Sequence, residues 1–197
     1  MKDKKFVNEV LDTIPDVRCH EGYFYFQDSE EVLSGFYLER TRHGAYIWKV
    51  VYPFYDPAST IHLTYSLRLD GEAGYIDTKS TPKKDLASKL CSIVEPLLEE
   101  IQSTRTSRDF KSYIEKNEEF MMNPLVRGVY GTTLLLADMY DDGVNELKIC
   151  INSLNANQNP EDYAFYSKLL SDAEYRPSVA KDKIQDFIEK KRSALSI

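Results

Sequence analysis

The sequence predicts an α+β protein: an N-terminal helix, an antiparallel aromatic-rich sheet of about four to five strands, and then a cluster of about five helices. Three observations predict it. Dense β-former blocks rich in Tyr and Phe lie between residues 23 and 69, apolar stripes at helical spacing follow residue 80, and proline-marked helix starts are confined to the second half. Hydrophobic residues at 42% and charged residues at 29% are ordinary globular values, which exclude a wholly disordered chain. At 197 residues the chain can close a core without staples. The expected organisation is a helix plus sheet over 1–80 and a helical half packed on it over 81–197, as one compact body.

The first helix is expected over residues 2–14, because Phe6, Val10, Leu11 and Ile14 share one face and Pro15 stops the run. Tyr23–Phe26, the polar turn 27–30 and Val32–Arg40 read as a hairpin. A turn at Arg42–His43–Gly44, with Gly44 free to take positive φ, leads into the β-former run 45–52, which Pro53 and Pro57 end. Ile61, Leu63, Tyr65, Leu67 and Leu69 alternate with His62, Thr64, Ser66 and Arg68, so 61–69 reads as the clearest strand. Asp70–Gly71 is a turn and 74–77 a short edge strand.

Thr81–Pro82, Asn123–Pro124 and Asn159–Pro160 each set a capping side chain before a proline suited to the first helical position. Thr106 or Ser107 caps a further helix, and Arg176–Pro177–Ser178 opens another. Pro96 predicts a kink in the apolar segment 82–103. Gly128 and Gly131 predict a close approach, and Asp141–Asp142–Gly143 a break between a helix ending near 140 and one over 144–154. The starts near 107, 124, 143, 160 and 177 are evenly spaced, but the small and aromatic positions of tetratricopeptide repeats do not recur, which favours a packed cluster.

No Gly-rich phosphate loop, nucleophile elbow or metal-helix motif occurs, so no catalytic residue, cofactor or metal ligand is predicted and an enzyme is disfavoured. The segment from Asp138 fails as a calcium loop, since position three would be Tyr140 and position twelve Ile149. His20, His43 and His62 share no ligating helix. Cys19, Cys91 and Cys150 lack paired spacing and read as reduced thiols. With no signal-like stretch and no spanning apolar run, the expected location is cytoplasmic, without membrane association. Net charge is −7, with 9 basic against 13 acidic residues in 1–80 and 16 against 19 in 81–197. Such even acidity repels nucleic acid and suits a basic protein partner.

Alternation places Tyr46, Trp48, Val50 and Tyr52 on one face of their strand, and His62 and Arg68 on the polar face of the next. Tyr46, Trp48, Tyr52, His62 and Arg68 therefore form the candidate binding face. The bland alternative is that tyrosine rings fill both layers of a covered sheet.

The stretch from Gly35 to Tyr55, followed by His62–Leu69, resembles bacterial α+β proteins of the toxin-immunity-like kind, built from a helix, an antiparallel sheet and trailing helices. The resemblance covers residues 1–80 and transfers no functional residue; it implies a binding rather than a catalytic role. Three readings follow: a non-enzymatic protein-interaction module, immunity-like; a ligand binder or enzyme with a pocket between sheet and helices; and a self-assembling structural protein.

Overall fold

The computed structural model describes residues 4–69, 71–77 and 79–195. Its backbone contacts separate two units, residues 1–52 with 62–105, and residues 53–61 with 106–197. The fold class is α+β, as the sequence predicts.

In the first unit α1 (Lys4–Thr13) precedes β1 (Val17–His20), β2 (Tyr23–Phe26), β3 (Val32–Arg40) and β4 (Gly44–Pro53). Lys2 and Asp3, expected in the first helix, lie outside the described residues. β1 to β4 are neighbours in chain order, and the far edge of β4 receives both β5 (Leu67–Arg68) and β6 (Tyr75–Asp77). The sheet thus has six strands rather than four or five. The addition is β1, paired from Val17↔Phe26 to His20↔Tyr23 across the two-residue turn Glu21–Gly22. Both turn residues have positive φ, 50° and 94°, as a type I′ hairpin requires, and only Gly22 adopts it without steric cost.

One face of the sheet is closed by helices. Phe24, Phe26, Phe36, Leu38, Ala45, Ile47 and Ile76 point into a core with Phe6, Val10 and Ile14, and with Leu86, Leu90 and Val94 of α2 (Leu86–Val94). Phe24 stacks on Phe36 at 5.0 Å and meets the edge of Phe6 at 6.2 Å. Burying one such ring stabilises by about 1.5–3 kcal/mol. Gly44 begins β4 and is wanted for space: a Cβ there would lie 2.3 Å from the Tyr75 hydroxyl and 2.4 Å from the Ile76 carbonyl. Pro96 bends the following segment as expected, through a 3₁₀ turn at Glu95–Leu97 into α3 (Leu98–Gln102).

The segment 61–69 departs from expectation, because only Leu67–Arg68 is strand. Tyr65 and Ser66, adjacent in sequence, are both buried. The chain turns here, with Ser66 N donating to Leu63 O at 3.0 Å. The Ser66 hydroxyl then accepts from Val51 N at 3.3 Å, standing in for a missing ladder bond. Of the expected turn at Asp70–Gly71, Asp70 lies outside the described residues and Gly71 has φ 64°.

The second unit contains α4 (Ser107–Lys116), α5 (Pro124–Leu136), α6 (Tyr140–Ser153), α7 (Pro160–Tyr175) and α8 (Pro177–Ala194). Thr106 and Asp109 form a reciprocal capping box on α4, and Asn123 Oδ1 accepts from Leu125 N at 3.0 Å on α5. The caps proposed at Thr81 and Asn159 make no such bond; Lys83–Asp85 is 3₁₀ and α2 starts at Leu86. Asp141, Asp142 and Gly143 lie inside the first turn of α6 rather than before it. The reversal occurs at Asp138, φ 63°, and the two carboxylates then sit where the helix dipole favours them. Gly131 and Gly143 let α5 and α6 close up, since a Cβ on Gly143 would stand 2.9 Å from Gly131 O.

Among the described residues no helix is long and apolar enough to cross a membrane.

Candidate functional site

The face of the sheet opposite the helices carries Tyr23, Tyr37, Glu39, Tyr46, Trp48, Arg68 and Tyr75. Strand register assembles them. Tyr23 faces Tyr37 across β2 and β3, Tyr46 faces Tyr75 across β4 and β6, and Trp48 faces Arg68 across β4 and β5. All the aromatic members are half-buried and Arg68 is exposed.

Their contacts are specific. The Arg68 guanidinium lies 4.3 Å from the Tyr46 ring centroid and 4.7 Å from that of Trp48. It also donates to Glu39 Oε2 at 2.8 Å, and the same oxygen accepts from Trp48 Nε1 at 3.0 Å. Tyr46 and Tyr75 pack at 4.9 Å, and Tyr23 stacks on Tyr37 at 4.6 Å. Burial pushes the Tyr23 phenol above its ordinary pKa, and Tyr37 and Glu21 push it the same way, so it stays a neutral donor. Each cation–π contact at such a half-exposed site stabilises by about 0.5–1 kcal/mol. Together the contacts hold two rings and one cation in a fixed mosaic.

The five residues expected on the binding face divide into two groups. Tyr46, Trp48 and Arg68 converge as described. Tyr52, on the same strand face, is 0% exposed and does not belong to the surface. His62 packs edge-on against Tyr52 at 5.2 Å and lies 5.6 Å from Tyr65, while its Nδ1 accepts from Thr64 N at 3.4 Å. His62 is therefore a turn residue beside buried rings. Glu39 was missed, although its position two residues after Tyr37 places it on the same strand face. Tyr23, Tyr37 and Tyr75 were visible only as part of the general aromatic density.

The arrangement offers ring faces, one paired cation and phenolic hydroxyls, with no nucleophile set against a base. Among the described residues no group of three or more His, Cys, Asp or Glu side chains is placed to hold a metal ion. His20 ends β1 and pairs with Tyr23, and His43 lies in the turn before β4. Comparison with family models, curated proteins and solved structures finds no match for the chain.

Proposed function

We propose that this chain is a non-enzymatic protein-interaction module that docks a basic protein through the aromatic face of its sheet, in the manner of a toxin-immunity pair. The observation that carries the reading is the Glu39–Arg68–Tyr46–Trp48 cluster, with Tyr75 packed on Tyr46. Tyr, Trp and Arg are the residue types that dominate binding energy at protein interfaces, and here they are ordered before any partner arrives. The net charge of −7 supplies long-range attraction for a basic partner, and the rings supply the contact. The likeness of residues 35–69 to immunity-like proteins points the same way.

The test is affinity capture from native lysate with the intact protein, with Trp48→Ala, and with Tyr175→Ala as an exposed control on α7. The reading expects one basic protein retained by the intact chain and the control and lost by Trp48→Ala. Production of that partner alone should arrest growth, and co-production of this chain should relieve the arrest. Equal capture by all three baits, or none, removes the reading. Trp48 is this chain's sole tryptophan, so the reading expects its emission to change when a partner is added.

A further inference from the structure

A second site lies wholly within the helical unit. Between α7 and α8 the structure holds a pocket of about 280 Å³. Its walls are Phe165 and Leu169 from α7 and Ile184 and Phe187 from α8, and Tyr55 lines it from the segment 53–61. Phe165 and Phe187 stand 5.4 Å apart with their planes tilted by 54°. Three charged side chains edge the pocket, Lys168, Lys183 and Asp172. Lys183 is spent on Asp172, Nζ to Oδ2 at 2.6 Å, whereas Lys168 is exposed and has no ion-pair or hydrogen-bond partner among the described residues.

The lining is held in place from behind. Tyr55 is fully buried, shares a 3.0 Å hydrogen bond with Thr133 and meets the edge of Phe110 at 6.2 Å. The ammonium group of Lys191 donates to the carbonyls of Asp56 and Ala58, fixing the same segment, and lies 5.5 Å from the Phe187 ring centroid. Tyr55, pinned in this way, gives the pocket a floor that does not need to form on binding.

The geometry points to a binding site for a small aromatic carboxylate: the ring packs against the touching pair Phe165 and Phe187, and the carboxylate pairs with Lys168. The class follows from three constraints. The volume is just below the ~300–1,000 Å³ of pockets for drug-sized ligands, so the occupant is one ring with a short arm. The walls are aromatic and aliphatic, which favours offset or edge-on ring packing. The unspent charge at the mouth is positive, so the polar end is an anion. The site shares no residue with the sheet face and does not rest on its role.

The experiment titrates the full-length ¹⁵N-labelled protein with phenylacetate, phenylacetamide and acetate, following amide shifts. Phenylacetate should give saturable shifts confined to residues near 165–172, 183–187 and 55. Phenylacetamide and acetate should each bind at least tenfold more weakly. Lys168→Gln, at an exposed position that folding does not need, should weaken phenylacetate tenfold, and Lys168→Arg should restore most of the affinity. Absence of saturable shifts overturns the proposal. So do shifts matched by acetate, or an affinity unchanged in Lys168→Gln. Trp48 emission should stay constant throughout, which separates this outcome from any binding at the sheet.

Discussion

A single carboxylate orders the exposed aromatic face. Glu39 Oε2 takes hydrogen bonds from the Trp48 indole and the Arg68 guanidinium, and Arg68 in turn covers Tyr46. Because the Glu39–Arg68 pair is half-exposed, its removal should cost no more than about 1 kcal/mol. Glu39→Ala should therefore leave the urea midpoint almost unmoved while making Trp48 easier to quench with acrylamide. An unchanged quenching constant would show that Glu39 does not hold the indole. Thr106 has the opposite balance, since its capping box ties the first turn of α4 and has no place in the candidate site. Thr106→Ala should lower unfolding free energy by about 1 kcal/mol with no effect on the sheet face. Both residues were within reach of sequence reasoning, but unequally. Thr106 announces itself locally, as a hydroxyl three residues before an acid. Glu39 becomes informative only once the register places Trp48 and Arg68 opposite one another.

Elements whose signal is local were legible. The hairpin β2–β3, the edge strand β6, the cap of α5 and the bend at Pro96 all follow from side-chain period and turn chemistry within a few residues. β1 was missed because its four residues follow Pro15 and Asp16 directly and carry no β-branched residue beyond Val17. The segment 61–69 misled for the converse reason: its alternation is perfect, yet Ser66 spends its hydroxyl on Val51 and the chain turns. The glycines of α5 were read correctly as points of close approach, and they give the sharpest test at this scale. A Cβ on Gly128 would sit 2.5 Å from the Tyr166 ring, and that ring is fully buried. Gly128→Ala should cost about 1–3 kcal/mol in urea unfolding, as overpacking does. In the Tyr166→Ala background the same change should cost much less, because the ring it strikes is gone. A cost equal in both backgrounds would place the strain elsewhere, in the helix backbone.

At the scale of the whole molecule, buried titratable groups give stability an unusual dependence on alkaline pH, and contacts across most of the chain create it. Lys191 is only 9% exposed, and burial lowers its pKa from 10.5 to about 8, with Asp56 pulling it partly back. Its carbonyl acceptors, Asp56 and Ala58, are 135 and 133 residues away in sequence, so no local pattern foretells the shift. The folded chain releases this proton more readily than the unfolded one, so below pH 8 folding carries the full cost of the buried charge. That cost fades as pH rises from 8 to 10.5, and stability gains accordingly. Cys150 works in the other direction. Burial, with Asp162 adding to it, raises its thiol from 9.0 to about 12, so the unfolded chain ionises first and stability falls as pH climbs from 9. Tyr130 is raised as well, by burial and by its bond to Glu115, and contributes a further loss above pH 10. From these three groups the intact protein should gain stability between about pH 8 and 9, change little while the Lys191 gain and the Cys150 loss offset each other, and lose stability above about pH 10. Lys191→Met removes the rising component alone. Between pH 7.5 and 9.5 the free-energy gap between Lys191→Met and the intact protein should move by about 2 kcal/mol in favour of the intact protein. Urea unfolding at the two pH values measures it, and a gap that stays constant would mean that the two carbonyls hold the Lys191 proton as tightly as water does.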